Sequence, residues 1–512
     1  MISNSIFSSS QFAVRADGSN IGIQSASVSG NILKLTLSTI VKVGQVVDLS
    51  YMAGTGTITD MNGIALPSFT TLNVQNVAGS STTAGGPTYL TTLATSEFGK
   101  SYPLLKSDSA QATDDTSKYN QVIKKYTLSA ERLTGGYDFL LKQGSNTLVF
   151  EVPSTERAAY VSVPLVPLIA AVSRNKSAEF AIRYGDYMYS IPLDKVDLPS
   201  LARNINRDSN TISLIFRMEN VPTGTFSSLE QKLQNNSLQN VSSPMDIRLL
   251  AGVSDNSSNP VELNVPGEYS VRTTATFYES QVFLAKLDTS YGDASYLPTR
   301  FSKAGNYTII RAKAVGSQVL AAYLSIRKFS DMSTHWSRDA VSELATKNII
   351  DSSYGTNFKP EQKITRAEFA VMLSRGLGLQ GNREGAQGFR DVQSSTQIGD
   401  YIGAAAKAGI ITGNVDGTFR PNANITREQM AIMMIRAMEY TNNPVTLNGT
   451  SASVLATFKD KNKIQGDEFV AKAFQAGIVQ GVSAGVFQPQ GNATRAQAAV
   501  MLKRMLNKVN YL

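Results

Sequence analysis

Three tetrads of one kind stand in the last third of this 512-residue chain: Thr365-Arg366-Ala367-Glu368, Thr426-Arg427-Glu428-Gln429 and Thr494-Arg495-Ala496-Gln497. A threonine at a helix N-cap accepts the N3 amide, and a Glu or Gln at N3 reaches back to the N-cap amide. Two of the four positions are therefore a capping box and need no further purpose. The arginine between them is different. A cation in the first turn faces the positive end of the helix dipole, at a cost of about 0.3 kcal/mol or more if it does nothing else. Two readings stay open for Arg366, Arg427 and Arg495: they join free helix amides in gripping an anion such as a carboxylate or phosphate, or they bridge to a neighbouring repeat. Both can hold at once.

Other chemistry is thinly represented. His335 is the single histidine, so a multi-histidine metal site is impossible and a Ser-His-Asp triad could be built only with it; beside Trp336 at a helix start, it reads as structural or superficial. Ser325-Ile326-Arg327-Lys328 has the spacing in which a lysine activates a serine, but it ends a strand-like run and lacks an S-D-N companion. Asp114-Asp115 and the stretch from Asp208 to Asn210 are at most weak calcium loops. The absence of cysteine excludes disulfides and thiol chemistry. The expectation is a protein that is not an enzyme, with no catalytic residue, no metal and no cofactor.

The elements that position the arginines form a repeated unit. Phe329-Ser330-Asp331, Phe389-Arg390-Asp391 and Phe458-Lys459-Asp460 open it. A helix follows, then a turn at Asn348-Ile349-Ile350-Asp351-Ser352, Gly409-Ile410-Ile411-Thr412-Gly413 and Gly477-Ile478-Val479-Gln480-Gly481. Gly409 and Gly477 are expected in a left-handed C-cap, with Asn348 as the usual substitute. Phe358-Lys359-Pro360, Phe419-Arg420-Pro421 and Phe487-Gln488-Pro489 lead into the second helix, where Phe369, Met372 and Leu373, and their counterparts Met430, Met433, Met434 and Ala498, Met501, Leu502, predict one apolar face. Such self-similarity at intervals of 60 to 70 residues is a repeat architecture.

Taken together, Phe-x-Asp, Gly-Ile-Ile-x-Gly, Asp416-Gly417-Thr418-Phe419-x-Pro421 and Ile425-Thr426-Arg427 resemble S-layer homology domains, three in tandem over about a third of the chain. The resemblance implies an all-α pseudo-threefold trimer of repeats at 327–381, 387–441 and 456–512, with grooves between adjacent repeats for an anionic secondary cell-wall polysaccharide, often one bearing pyruvate ketals. It carries binding roles to Arg366, Arg427 and Arg495, to the backbone near Gly413 and Gly481, and to Trp336, for which stacking on a sugar competes with a core role. The first repeat departs from the pattern. Ser352 stands where the second has Gly413, and Gly355 comes one place early relative to Gly417, so a weakened groove is expected there.

Upstream, period-two alternation (Leu33, Leu35, Leu37 against Lys34, Thr36; Val47, Leu49, Tyr51 against Asp48, Ser50) broken by Ala16-Asp17-Gly18 and Asp60-Met61-Asn62-Gly63 predicts a small antiparallel sandwich over 1–76. It resembles the bacterial immunoglobulin-like repeats, truncated by its first strand. Ala78 to Pro87 reads as a flexible linker, extended weakly over 77–118, and 119–326 as an all-β central region of one or two domains.

With 42% hydrophobic and 17% charged residues the composition is that of a folded globular chain. A formal charge of +8 suits an acidic partner, but the Lys and Arg are scattered without aromatic platforms, which argues against nucleic acid. No stretch reaches the ~20 apolar residues of a membrane span. Met1 to Gln11 lacks the basic start and apolar run of a secretory signal, so an exported protein of this sequence would be the carboxy-terminal piece of a longer precursor. The expected function is non-covalent anchoring of an extracellular protein at the bacterial cell wall or S-layer, through an anionic wall polysaccharide or peptidoglycan-linked glycan, with self-association in a surface lattice as a further partner. The alternative is a surface-displayed enzyme or adhesin on the same anchor.

Overall fold

The computed structural model describes the whole chain except residues 1, 4–7, 30–31, 40, 42–44, 55–57, 61–64, 75–85, 206 and 254–259. It divides into two compact units, residues 1–94 and 95–512. The expected turn at Met61 to Gly63 and most of the linker at Ala78 to Pro87 lie outside the described residues.

In the first unit an antiparallel sheet runs in the order Ser19–Ile21, Phe12–Ala16, Val47–Tyr51, Phe69–Val74, and Ile23–Ser29 pairs with Ile32–Leu37. Asp17 and Gly18 join the first pair with φ of 49° and 78°, the two positive values that a type I′ hairpin requires. Alternation sets the faces. Phe12, Tyr51 and Ile58 form a small core against Ile23, Leu33, Leu35, Leu49 and Phe69, while Lys34 and Thr36 face water.

The second unit contains two mixed sheets. One runs Thr299–Ala304, Tyr307–Val315, Pro266–Thr273, Tyr187–Pro192, Glu179–Tyr184, Thr147–Val152, Tyr102–Leu105, with its last two pairings parallel. The other runs Ala110–Thr116, Val122–Leu128, Ala158–Pro164, Ile212–Asn220, Met245–Val253, Gln318–Ser325, Val282–Asp288, Asp293–Leu297, with one parallel pair, Val122–Leu128 beside Ala158–Pro164. They meet face to face where Phe180 and Tyr189 of the first touch Phe216 of the second, at ring distances of 5.5 and 6.0 Å.

Two expectations are corrected. The central region is rich in sheet but is not all-β, because helices Ala130–Gln143, Leu165–Arg174, Leu198–Ile205 and Ser227–Asn235 lie among its strands. In the first of them a side chain at Gly136 would meet Leu148 at 3.0 Å, so the glycine serves close helix–sheet approach. Pro167 sits in the first turn of the second helix, where no intrahelical N–H bond is lost. Residues 95–118 are likewise not linker. They hold Thr95–Phe98, Tyr102–Leu105 and Ala110–Thr116, and the last is an edge strand polar on both faces, which erases the alternation that would mark it.

The repeats fold on the same unit. Their helices Arg366–Gly376, Arg427–Tyr440 and Arg495–Lys508 pack through Phe369, Met372, Leu373, Met430, Met434, Leu502 and Met505, and this core continues without a break into Phe283, Tyr296 and Tyr323 of the central sheet. Arg375, 1% exposed, is paired with Asp293 of the central region and Asp351 of the first repeat. Lys347 donates to the carbonyls of Glu279 and Val282, at 2.9 and 2.6 Å.

Candidate functional site

Each repeat builds its junction from local rules. The expected left-handed caps are present, with φ of 54° at Asn348, 71° at Gly409 and 73° at Gly477. The Phe-x-Pro triplets hold a second left-handed residue, Lys359, Arg420 and Gln488, at 56°, 59° and 61°. Side chains with a Cβ rarely adopt this conformation unaided. The aspartate of Phe-x-Asp supplies the aid: Asp331 accepts from the amides of Phe358 and Lys359 (2.9, 2.7 Å), Asp391 from Phe419 and Arg420 (2.7, 2.8 Å), and Asp460 from Phe487 and Gln488 (2.9, 2.7 Å). Partial desolvation alone would raise the Asp460 pKa, but these two amides, with its own amide and Lys463, outweigh it and hold the carboxyl below its ordinary value. The structural use of these aspartates was not evident from the sequence, where the only signal was their recurrence.

All three capping boxes form, with Thr365, Thr426 and Thr494 accepting from the amides of Glu368, Gln429 and Gln497. The arginine beside each threonine reaches the next repeat in cyclic order. Arg366 Nε donates to Phe419 O at 2.8 Å, Arg427 Nε to Phe487 O at 2.8 Å, and Arg495 Nη1 to Phe358 O at 3.0 Å. Each guanidinium also lies over a ring of that neighbour: Phe419 at 4.7 Å, Phe487 at 5.0 Å and Tyr354 at 4.9 Å. Beneath them three backbone bonds close a triangle, Ile364 N to Ala493 O, Ala493 N to Ile425 O and Ile425 N to Ile364 O, at 3.0, 3.0 and 3.1 Å.

The three arginines differ in what remains free. Among the described residues, no carboxylate lies within ion-pair distance of Arg366 or Arg427, and the Arg366 hydrogen bond found is the one from Nε. Arg427 also donates through Nη2 to Gln480 O. Arg495 spends both terminal nitrogens, on Phe358 O and on Glu368. Burial lowers the pKa of Arg366 and Arg427 from the ordinary arginine value.

Gly413 and Gly481 lie at the same junctions. A side chain on Gly413 would meet the Phe389 ring at 2.7 Å, and one on Gly481 would meet Val486 O at 2.7 Å, so close packing inside the repeat already requires glycine at both. At the aligned position of the first repeat, Ser352 opens a 3-10 turn, Ser352–Tyr354, that places Tyr354 under Arg495. Trp336 is 64% exposed, which removes the core role that competed for it. His335 contacts Ser337 Oγ and Glu361 Oε1, both at 2.9 Å, and Ser337 is 1% exposed. Ser325, of the S-x-x-K spacing, is equally buried. No helix among the described residues is long and apolar enough to cross a membrane.

The family model for the S-layer homology domain matches residues 328–370, 388–431 and 457–499. Partial likenesses join the chain to larger proteins. It is 38% identical over 187 residues to an endoglucanase of Bacillus sp. (strain KSM-635), covering 35% of this chain and 19% of the relative. It is 32% identical over 284 residues to an amylopullulanase of Thermoanaerobacterium thermosulfurigenes (53% and 14%) and 31% identical over 203 residues to an S-layer protein of Bacillus thuringiensis subsp. finitimus (39% and 24%). The chain spans less than a quarter of the length of each, and these matches assign it no catalytic activity. With the matched segments coinciding with the three units that the arginines close into a ring, the C-terminal region of this chain consists of three S-layer homology domains in tandem.

Proposed function

We propose that the three repeats hold this protein non-covalently at the bacterial cell wall by binding an anionic secondary cell-wall polysaccharide, of the pyruvylated kind that the family resemblance implies. The observation that carries the reading is the pair Arg366 and Arg427. Both are desolvated cations without a carboxylate partner among the described residues, and Arg427 reaches the carbonyl of Gln480, next to the loop glycine Gly481. A buried cation of this sort gains most from an incoming anion. Arg495, already paired with Glu368 and stacked on Tyr354, supports two working grooves and a third that is filled. Trp336, exposed at the start of the first repeat, offers an aromatic face to a sugar.

A second reading, a surface-displayed enzyme or adhesin on the same anchor, is favoured by the likeness to an endoglucanase and an amylopullulanase. In either case the anchor is the same.

The test is binding of the whole chain to wall sacculi before and after acid removal of their secondary polysaccharide. The expected result is binding that disappears on stripping and weakens with Arg366→Lys or Arg427→Lys, which keep charge but lose the planar fork. Undiminished binding to stripped sacculi would move the partner to peptidoglycan or protein and overturn the proposal.

A further inference from the structure

The helices that begin with the signature arginines hold a second arginine nine residues on: Arg375, Arg436 and Arg504. At about 100° per residue, nine steps place it on the opposite side of the helix from the first. There each meets the residue that precedes the loop-glycine position of its own repeat. Arg375 pairs with Asp351 at 2.7 Å, Arg436 donates to Thr412 Oγ1 at 3.3 Å, and Arg504 donates to Gln480 Oε1 at 3.3 Å. Two of the three also lie over an aromatic ring of the next repeat, Arg375 over Tyr401 at 5.0 Å and Arg436 over Phe469 at 5.4 Å. Ala340 stands at the equivalent place for Arg504.

The pseudo-symmetry thus contains its own comparison. Around Arg375 the arrangement is filled, by Asp351 and by Asp293 from the central region. Around Arg436 no carboxylate lies within ion-pair distance among the described residues; Glu439 and Glu468, on the same two helices, both turn to Lys472. Arg436 and Phe469 are half-buried and Thr412 is exposed. The acidic hairpin that fills the first site does not fit the second. A side chain on Gly378 would meet Pro298 of the central region at 2.6 Å, and the counterpart of Gly378 in the second repeat is Glu439. A carboxylate entering there would have to be carried on something smaller and flatter than a protein hairpin.

We propose that Arg436, Phe469 and Thr412 form a binding site for a carboxylate-bearing sugar of the wall polymer, with the carboxylate on the guanidinium and the apolar face of the sugar ring on Phe469. The site rests on the reading of the repeats as polymer binders. Thr412 adjoins Gly413, so the site shares the loop of the second repeat to which the family resemblance carries a binding role. Arg504, lacking the aromatic platform, is a weaker copy.

The test is calorimetric titration of the full chain with purified secondary polysaccharide, native and with its carboxylates amidated by carbodiimide. Loss of one charge-assisted pair predicts that Arg436→Ala weakens binding about ten- to a hundredfold. Amidation also removes the anions read by Arg366 and Arg427, so it should weaken the wild type by more than the mutation does, and should weaken the variant by about ten- to a hundredfold less than it weakens the wild type. Arg436→Lys should recover part of the loss, which a misfolded protein would not, and Arg504→Ala should cost about threefold or less. Native-polymer binding by Arg436→Ala equal to that of wild type overturns this site and leaves the anchor reading standing, as does an amidation effect of the same size in wild type and variant. Failure of the wild type to bind the polymer overturns both.

Discussion

Replacing Arg427 by alanine removes two hydrogen bonds and one stacking contact between the second and third repeats, and the cost can be worked from their surroundings. Phe487 is fully buried, so its carbonyl finds no water to replace the Nε donor at 2.8 Å, a loss of about 2 kcal/mol. Gln480 is exposed and water substitutes there at little cost. The guanidinium 5.0 Å from the Phe487 ring adds about 1 kcal/mol. The sum, about 3 kcal/mol, should appear at the junction, where Arg427 N meets Gly491 O at 3.0 Å and Ala493 N meets Ile425 O at 3.0 Å. If exchange there proceeds by local opening, these amides should exchange roughly a hundredfold faster in Arg427→Ala, as read by hydrogen–deuterium exchange with mass spectrometry. Amides of the first unit, such as those of Phe12–Ala16, should keep their rates and serve as the control. Protection at the junction within threefold of wild type would refute the idea that this arginine is an inter-repeat tie, and would return it to anion binding alone.

Two further outcomes concern the central region. Arg375→Met strands Asp293 and Asp351 in a nearly dry site, at about 3–5 kcal/mol, and scanning calorimetry should then separate melting of the central sheets from that of the repeats; an unchanged single transition would contradict their coupling through this residue. Burial depresses Lys347 to about 8, although Glu343 and Glu279 oppose the shift. Its unfolded value is about 10.4, so between these two the unfolded state binds the extra proton and stability from this group rises with pH, by at most about 3 kcal/mol. Urea midpoints should therefore climb from pH 8 to pH 10 relative to Lys347→Met, and equal slopes for the two proteins would dispose of the effect. Above pH 10 the midpoints of both proteins should fall together, because burial holds Tyr126, Tyr160 and Tyr184 near 12, and the unfolded chain then loses its protons first.

Legibility in the sequence followed the range of each interaction. The capping boxes, the left-handed Asn348, Gly409 and Gly477, and the apolar stripe of the second helices depend on neighbours within one or two turns, and the residue types alone disclose them. The partners of the signature arginines lie 53, 60 and 137 residues away, and nothing local names a carbonyl as the acceptor. Lys359, Arg420 and Gln488 adopt the left-handed conformation with no residue preference to announce it, because a distant aspartate enforces it. The central helices were hidden by Gly135-Gly136 and Pro167, which usually interrupt helices and here serve packing and a first turn. The second series, Arg375, Arg436 and Arg504, was readable as a spacing but not as a site, since only the structure sets Tyr401 and Phe469 against it.

The bond from Arg495 back to Phe358 alters how these repeats can come apart. A linear array of repeats has two ends, and each end frays because its last member has a neighbour on one side only. Here the third unit leans on the first, so every member has two neighbours and there is no terminal one from which unravelling can start. A pull on the chain must break two junctions before any unit leaves. Deleting one repeat does not shorten the assembly by a third but opens it, turning a closed ring into a strip with two raw edges.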